Sequence, residues 1–167
     1  MASLTVPNNL VVQGQIVPQG GITLPSSCVS DAQVSAGASI DQSKLQHQHR
    51  AGVSQANGAS ATAQRQTVYI AQASTGATVL TFNAGCITAP TGADTCSVDL
   101  QRNGTSLLGA AISLTSSTPA RTPVGGTISI ANLSQNDTLE IVITPAHSTG
   151  TLPQGVFGEV RVAEAAS

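Results

Sequence analysis

The sequence predicts an all-β protein in which an extended N-terminal arm is followed by an antiparallel, jelly-roll-like β-sandwich. Apolar and polar residues alternate along many short segments, a pattern typical of strands with one buried face. These segments recur at intervals of about ten residues, with Gly, Pro, Asn or Asp between them, as in sandwiches and jelly rolls. The only apolar pair with helix-like spacing spans less than two turns. Strands rather than helices are therefore expected to form the core.

Three segments of different composition divide the chain. We assign an arm and joint to residues 1–50, a linker to residues 51–65 and the sandwich domain to residues 66–167. The arm carries short aliphatic steps interrupted by Pro7 and Pro18. Because proline lacks a backbone donor, these steps are predicted to form edge strands or extended segments rather than a central sheet. Such an arm is suited to lying along another protein by strand addition.

The joint, at residues 37–50, holds the helix-like pattern. Ile40 and Leu45 are separated by polar residues, and a turn this short is unstable alone because helix nucleation is costly. We therefore expect it to dock on a partner chain. The following residues 51–64 are small and polar, which predicts a linker or an extended strap. The aliphatic residues expected to contact other subunits are Leu10, Val12, Ile16, Ile22, Leu24, Ile40 and Leu45.

The sandwich domain is predicted from its alternating segments. One of these places Cys96, Val98 and Leu100 on a single face, and the later segments place Leu139, Ile141 and Ile143, and Val156, Val160 and Val162, in the same way. Asn103-Gly104 predicts a two-residue hairpin of type I′, because that turn requires positive φ at both central residues. The predicted strands are residues 66–72, 77–84, 95–102, 106–114, 127–131, 138–144 and 155–163.

Composition excludes several classes of partner. Charged residues make up 8% of the chain and the net charge is −2, so no basic surface for nucleic acid is expected. No apolar segment reaches the roughly 18 residues of a membrane span, and no signal-peptide pattern is present, so we expect synthesis in the cytoplasm. Aromatic residues are only 2% of the chain. A core built from small aliphatic residues is thin, which favours burial shared between subunits.

No motif in the sequence frames a catalytic site, and an enzyme is not expected. A serine or cysteine nucleophile needs a nearby base, yet the three histidines lie in loop-like sequence. In an extended segment, His47 and His49 would share one face, and three copies around a threefold axis would offer six nitrogen donors to a metal. The alternative, which we favour, is that the two rings only hydrogen-bond or stack at the joint.

Cys86 and Cys96 bracket a loop-like segment. A disulfide between them would contribute about 2–4 kcal/mol. Cytoplasmic synthesis argues against it, and two buried free thiols are the expected state. Neither a metal nor another cofactor is predicted.

Three motifs in the arm and joint carry a family resemblance. They are VSDAQV at residues 29–34, ASIDQSKL at residues 38–45 and HQH at residues 47–49. Together they resemble the N-terminal part of tailed-bacteriophage virion proteins, in which such a segment precedes a β domain. The segment TCSVDLQRNGT at residues 95–105 is similar, at the level of fold, to the jelly-roll domains of phage capsid decoration (cement) proteins. Cys28 is not part of that pattern.

The resemblance implies a virion structural protein bound to the outside of a phage capsid. It would be a homotrimer whose partner is the phage major capsid protein, and the aliphatic residues of the arm and joint would bridge capsid subunits. The alternative is a head-fibre or tail-fibre module that binds a host-surface glycan. Such a module needs exposed rings to stack on sugars, and Tyr69, Phe82 and Phe157 are the whole aromatic supply.

Overall fold

The computed structural model of the protein describes residues 47–72 and 76–164. Within these ranges it contains ten β-strands and no helix, which confirms the predicted all-β class. The predicted arm lies outside the described residues. The strands are β1 (His47–Ser54), β2 (Gln64–Ile70), β3 (Ala77–Gly85), β4 (Thr95–Arg102), β5 (Thr105–Ser106), β6 (Ile112–Leu114), β7 (Val124–Gly125), β8 (Asn132–Leu133), β9 (Thr138–Ala146) and β10 (Phe157–Glu164).

The strands form two five-stranded antiparallel sheets. The first has the order β1-β10-β3-β7, with β8 also paired to β3, and the second has the order β2-β9-β4-β5, with β6 also paired to β4. The short strands β5 and β6 share one edge of β4, and β7 and β8 share one edge of β3. Counting each such pair as one interrupted strand gives eight strands in two four-stranded sheets, the arrangement of a jelly roll.

The core lies between the inner faces of the two sheets. Inward residues of β4, β9 and β10 alternate with half-buried ones, as the sequence predicted. Phe82 is the largest fully buried side chain, at 1% exposure, and aliphatic residues fill the rest. Each fully buried Val, Leu or Ile contributes about 1.5–3 kcal/mol relative to an exposed one. The inward residues predicted for those three strands are all buried: Cys96, Val98, Leu100, Leu139, Ile141, Ile143, Val156, Val160 and Val162.

The predicted Asn103-Gly104 hairpin is confirmed. Arg102 pairs with Thr105 across the turn, and φ is 49° at Asn103 and 84° at Gly104. Both values are positive, as a type I′ turn requires.

The first strand lies where the sequence predicted the end of the joint and the beginning of the linker. Residues 47–54 pair along their whole length with β10, and the sandwich therefore begins at His47 rather than at residue 66. Only Ala51 and Val53 of this strand are apolar, since an edge strand needs few side chains to cover one margin of the core. The alternation was too weak to read as a strand.

Two further strands were predicted at the wrong positions. The strand predicted at residues 106–114 is two short strands, β5 and β6, and the strand predicted at residues 127–131 lies between β7 and β8. The physical reason is that both segments leave their sheets to meet each other. Leu108 forms an isolated bridge with Ile128, and the Ser129 N–H donates to the Leu107 carbonyl at 2.8 Å.

Candidate functional site

Strand β1 presents an open edge. It pairs with β10 on one side, and no described residue pairs with its other side. The Gln55 N–H donates to the Val156 carbonyl at 2.8 Å, which sets the alternation of bonded pairs along these two strands. Every second residue of β1 therefore directs its N–H and C=O groups away from β10. These residues are Gln48, Arg50, Gly52 and Ser54.

The corresponding edge of the second sheet is less regular. Strand β2 shows a register shift between Thr67 and Tyr69 against β9, whereas β1 pairs with β10 without interruption. Bulges bend and twist an edge and so discourage further pairing. Of these two edges, β1 is the one suited to accepting another extended segment.

A shallow groove of about 340 Å³ runs along β1 and β10. It exists in part because Gly52 carries no side chain there, and Phe157 forms part of its wall. Arg50 and Glu159 also line it, and their charged groups lie 4.0 Å apart and largely exposed, so their attraction is weak. The groove offers room for a side chain of a segment added at the edge.

His47 and His49 lie on one face of β1, as the extended H-x-H pattern predicted. Their ring centroids are 6.4 Å apart in an edge-to-face arrangement. His49 is paired with the buried Val162, so both rings are on the inner side of the strand, at the rim of the sandwich. The ring of His49 also packs at 5.8 Å against Tyr69 of the opposite sheet. The favoured alternative to a metal site was that the two rings hydrogen-bond or stack at the joint, and it requires ring contacts such as these.

Glu164 ties the same rim together. Its carboxylate accepts hydrogen bonds from the Tyr69 hydroxyl and from the Gln72 N–H, the latter at 3.2 Å, and lies 3.5 Å from His49 Nε2. Burial, and then the Glu164 carboxylate, raise the pKa of the Tyr69 hydroxyl well above its usual value. Among residues 47–72 and 76–164, no group of three His, Cys, Asp or Glu side chains could hold a metal. A metal site shared by three copies, the less favoured interpretation of the H-x-H pattern, is not tested by a single chain.

A buried carboxylate organises the opposite end of the sandwich. Asp94, at 0% exposure, ends the β3–β4 connection and accepts three hydrogen bonds from the β9–β10 connection. The donors are His147 Nδ1 at 2.6 Å, the Ser148 N–H at 2.7 Å and the Gly150 N–H at 3.0 Å. Burial alone would raise the pKa of Asp94, but these backbone and imidazole donors lower it below its usual value. Asp94 therefore locks the two loops together.

His147 is the side chain at this end with the greatest chemical capacity. Asp94 fixes its Nδ1, which leaves Nε2 available on a side chain that is 64% exposed. The ring borders a cavity of about 290 Å³ that Ser60 and Thr151 also line. Covalent catalysis would require a nucleophile bonded to the imidazole. No described hydroxyl or thiol makes that bond, so the arrangement can bind a polar group at Nε2 but does not form a triad among the described residues.

The sequence did not identify this cluster. Asp94 and His147 are 53 positions apart, and each lies in a segment that reads as a polar loop. The only local signal was an aspartate directly before a strongly alternating strand. Nothing in that signal specifies a partner so distant in the chain.

Cys86 and Cys96 are both free thiols at 0% exposure. Burial raises the pKa of both, and that of Cys96 is raised to about 11, with the neighbouring Cys86 as a second cause. Because the thiolate is the reactive species, burial and the raised pKa both disfavour reaction of these thiols in the folded protein. The two cysteines pack as small core residues, as expected from the sequence.

The contact residues predicted in the arm and joint, from Leu10 to Leu45, lie outside the described residues. Residues 47–72 and 76–164 contain no candidate for a membrane-spanning helix. No protein-family model matches the chain, and no curated protein matches it significantly in sequence.

Proposed function

We propose that this protein is a virion structural protein that decorates and cements the outer surface of a phage capsid as a homotrimer. One observation carries the proposal. A jelly-roll sandwich begins, at its open edge strand β1, directly after the 46 residues that hold the aliphatic arm and two of the three phage-like motifs, and the third motif lies in β1 itself. The partner would be the phage major capsid protein, and the protein would sit on the capsid exterior without performing catalysis.

The energetics of the arm support an intermolecular role. Ordering an extended residue costs about 1–2 kcal/mol, so an arm of this length that becomes ordered on a partner must recover tens of kcal/mol from pairing and burial. The chain places Leu10, Val12, Ile16, Ile22 and Leu24 there, between prolines and glycines. Strand addition to neighbouring chains satisfies both the backbone groups and these side chains.

The outer faces of the sandwich support a passive, solvated role. Outward positions of β4 are Ser97, Asp99 and Gln101, and the carboxylate of Asp99 is already satisfied by the Ser106 hydroxyl at 2.7 Å. Arg65 pairs with Glu140 at 2.6 Å on the same sheet. A surface of neutralised charges and short polar side chains carries no strong field for attracting a charged substrate or nucleic acid.

Reconstitution on particles that lack the protein tests the proposal. Full-length protein and a variant lacking residues 1–36 would be added to such particles, and occupancy and thermal rupture compared. We expect the truncated variant to stay folded but to neither occupy nor stabilise the shell. Full occupancy by the truncated variant would assign the capsid contact to the sandwich and contradict the role given to the arm.

The trimer has its own test, matched to the joint. Sedimentation equilibrium should give a trimer for the wild type, and the double variant Ile40→Asp with Leu45→Asp should shift it toward monomer because the joint would have to bury two charges. The exposed change Ser116→Asp is the matched control and should leave the mass unchanged. A wild-type monomer at micromolar concentration would contradict the trimer.

The cavity beside His147 favours a second candidate, a fibre module that binds a host-surface glycan. Ser60, His147 and Thr151 offer polar groups there. The aromatic residues argue against this candidate, because a glycan site needs exposed rings, whereas Phe82 is buried in the core and the Tyr69 hydroxyl is bonded to Glu164. Calorimetric titration with host-surface polysaccharide separates the two candidates. Saturable heat that His147→Ala abolishes would favour the glycan-binding module.

A further inference from the structure

The chain contains two Asn-Gly pairs, Asn57-Gly58 and Asn103-Gly104, both in exposed turns. Asparagine is among the thermally labile residues. In its degradation the backbone nitrogen of the following residue attacks the side-chain Cγ, a C–N bond forms, and the side-chain amide leaves as ammonia. A following glycine makes the attack easiest, since it lacks a side chain to obstruct it.

The two glycines are in equivalent surroundings. Each has positive φ, 79° at Gly58 and 84° at Gly104, and a Cβ placed on either would meet nothing within 4 Å. Water and the attacking nitrogen therefore have similar freedom at both sites. The asparagines themselves differ in backbone conformation, with positive φ at Asn103 only, and in the hydrogen bonds of their side chains.

Asn103 is clamped by the turn that precedes β9. Its Nδ2 donates to Asp137 Oδ1 at 2.6 Å, and its Oδ1 accepts from the Thr138 N–H at 2.9 Å and from the Thr138 hydroxyl at 3.0 Å. Its own N–H donates to the Thr138 carbonyl at 3.0 Å. To bring Cγ onto the Gly104 nitrogen, the side chain must break three hydrogen bonds at once.

Asn57 has no such clamp. It occupies the second position of a turn closed by the Ala59 N–H and the Ala56 carbonyl at 3.1 Å, and the positive φ of Gly58 makes this a type II turn. No hydrogen bond from a described residue holds its side-chain amide. The side chain is exposed, and it breaks no hydrogen bond to a described residue when it turns toward the Gly58 nitrogen.

We propose that Asn57 is a site of spontaneous deamidation in this protein and that Asp137 and Thr138 protect Asn103 from the same reaction. At Asn57 the Gly58 nitrogen displaces ammonia to form a cyclic imide. Water then opens the imide at one of its two carbonyls, which gives either aspartate or isoaspartate. No other reactant is required.

Deamidation of Asn57 would affect the loops that meet around this residue. The Gly155 N–H donates to the Ala59 carbonyl at 3.3 Å, and the Ala61 N–H donates to the Pro153 carbonyl at 2.8 Å. Isoaspartate adds a methylene to the backbone just before these bonds and places a carboxylate beside Gly155, against which Asn57 Oδ1 already lies. Ageing is therefore expected to loosen the connection between the β1–β2 and β9–β10 loops.

Timed peptide mapping tests the proposal on the full chain. The protein would be held at mildly alkaline pH and physiological temperature, digested, and both Asn-Gly peptides quantified by liquid chromatography and mass spectrometry, with isoaspartate methyltransferase labelling to identify the isomer. We expect Asn57 to convert at least about ten times faster than Asn103, since each lost hydrogen bond changes a rate several-fold.

Two controls assign the difference to the clamp. In denaturant both asparagines should convert at similar rates, and Asp137→Ala should accelerate Asn103 in the folded protein while leaving Asn57 unchanged. Thr138→Val provides a second test of the clamp if Asp137→Ala does not fold. Equal rates at the two sites in the native protein, or faster conversion at Asn103, would overturn the proposal.

Discussion

Replacing Phe82 with alanine is expected to remove a large share of the stability of the sandwich. The ring is 1% exposed on the inner face of β3, opposite Val160 of β10. A Cβ placed on the adjacent Gly158 would lie 3.5 Å from Phe82 Cε2 and 3.2 Å from Ile141 Cγ2, so the ring reaches the facing sheet across a glycine. Neither of the other two rings can move in to fill the space, because Tyr69 and Phe157 are fixed at the rim and the outer face.

The magnitude follows from the cavity that truncation creates. Buried Phe→Ala changes cost about 3–5 kcal/mol. Domains of this size are stable by about 5–15 kcal/mol in total, so the loss is at least about a fifth of the stability. We expect the melting temperature, followed by circular dichroism, to fall by about 10–25 °C.

Phe157→Ala is the matched control. This phenylalanine is on the neighbouring strand β10 but packs on the outer face, where a Cβ at Gly85 would lie 2.6 Å from its Cζ. Because the ring is only partly buried, its truncation is expected to cost about 1 kcal/mol. If both variants lost the same stability, the assignment of inner and outer faces in this sheet would be wrong.

Three other predictions concern the loop end and the thiols. Because folding lowers the pKa of Asp94, the ionised carboxylate stabilises the protein above its unfolded pKa of about 3.9, and this stabilisation is lost as the pH falls through the folded pKa. Asp94→Asn should therefore lower the urea midpoint of unfolding at neutral pH and make that midpoint fall less steeply in acid. Parallel curves of urea midpoint against pH for the two proteins would contradict the stabilising role of the Asp94 hydrogen bonds. Gly150→Ala should destabilise by about 1–3 kcal/mol in thermal melts, because its Cβ would lie 1.8 Å from the Thr91 carbonyl oxygen; a silent change would refute that packing. With the third cysteine replaced by serine, Cys86 and Cys96 should resist alkylation until the protein unfolds, and mass spectrometry showing fast native labelling or a disulfide would contradict two buried reduced thiols.

The parts of the fold that the sequence predicted well are those set by local signals. The bounds of β4 at residues 95–102 were predicted in full, because its strict alternation ends at an Asn-Gly turn that fixes the next strand. Strands β9 and β10 followed for the same reason, with their ends displaced by two residues at most. Central strands bury one full face, so their pattern is strong.

The predictions that failed fall on the margins of the sheets. Residues 47–54 form β1 with two small inward side chains, and residues 106–114 and 127–131 are split by contacts with each other rather than with a central strand. The Asp94–His147 cluster was missed because it depends on loop packing between distant segments. At all these places tertiary contacts decide the structure, and composition within a short window does not report them.

These margins differ in a way that bears on function. On one side of the sandwich the bridge between Leu108 and Ile128, and the bond from the Ser129 N–H to the Leu107 carbonyl, connect the two sheets and close the edge. On the other side the two sheets are connected through side chains: His49 and Glu164 contact Tyr69 of β2, and Gln55 Nε2 donates to Gln64 Oε1 at 3.1 Å.

Natural sheets seldom leave a long, regular edge without a bulge, a proline or a cover, because such an edge invites pairing with other chains. Strand β1 runs for eight residues without a register shift and has a single charged residue, Arg50, on its open side. Left unpaired, as it is among the described residues, this edge would therefore expose a single molecule to pairing with other chains. In an assembly the same edge becomes the place where a neighbouring extended segment completes the sheet, which is the role that the proposed function requires of this side of the sandwich.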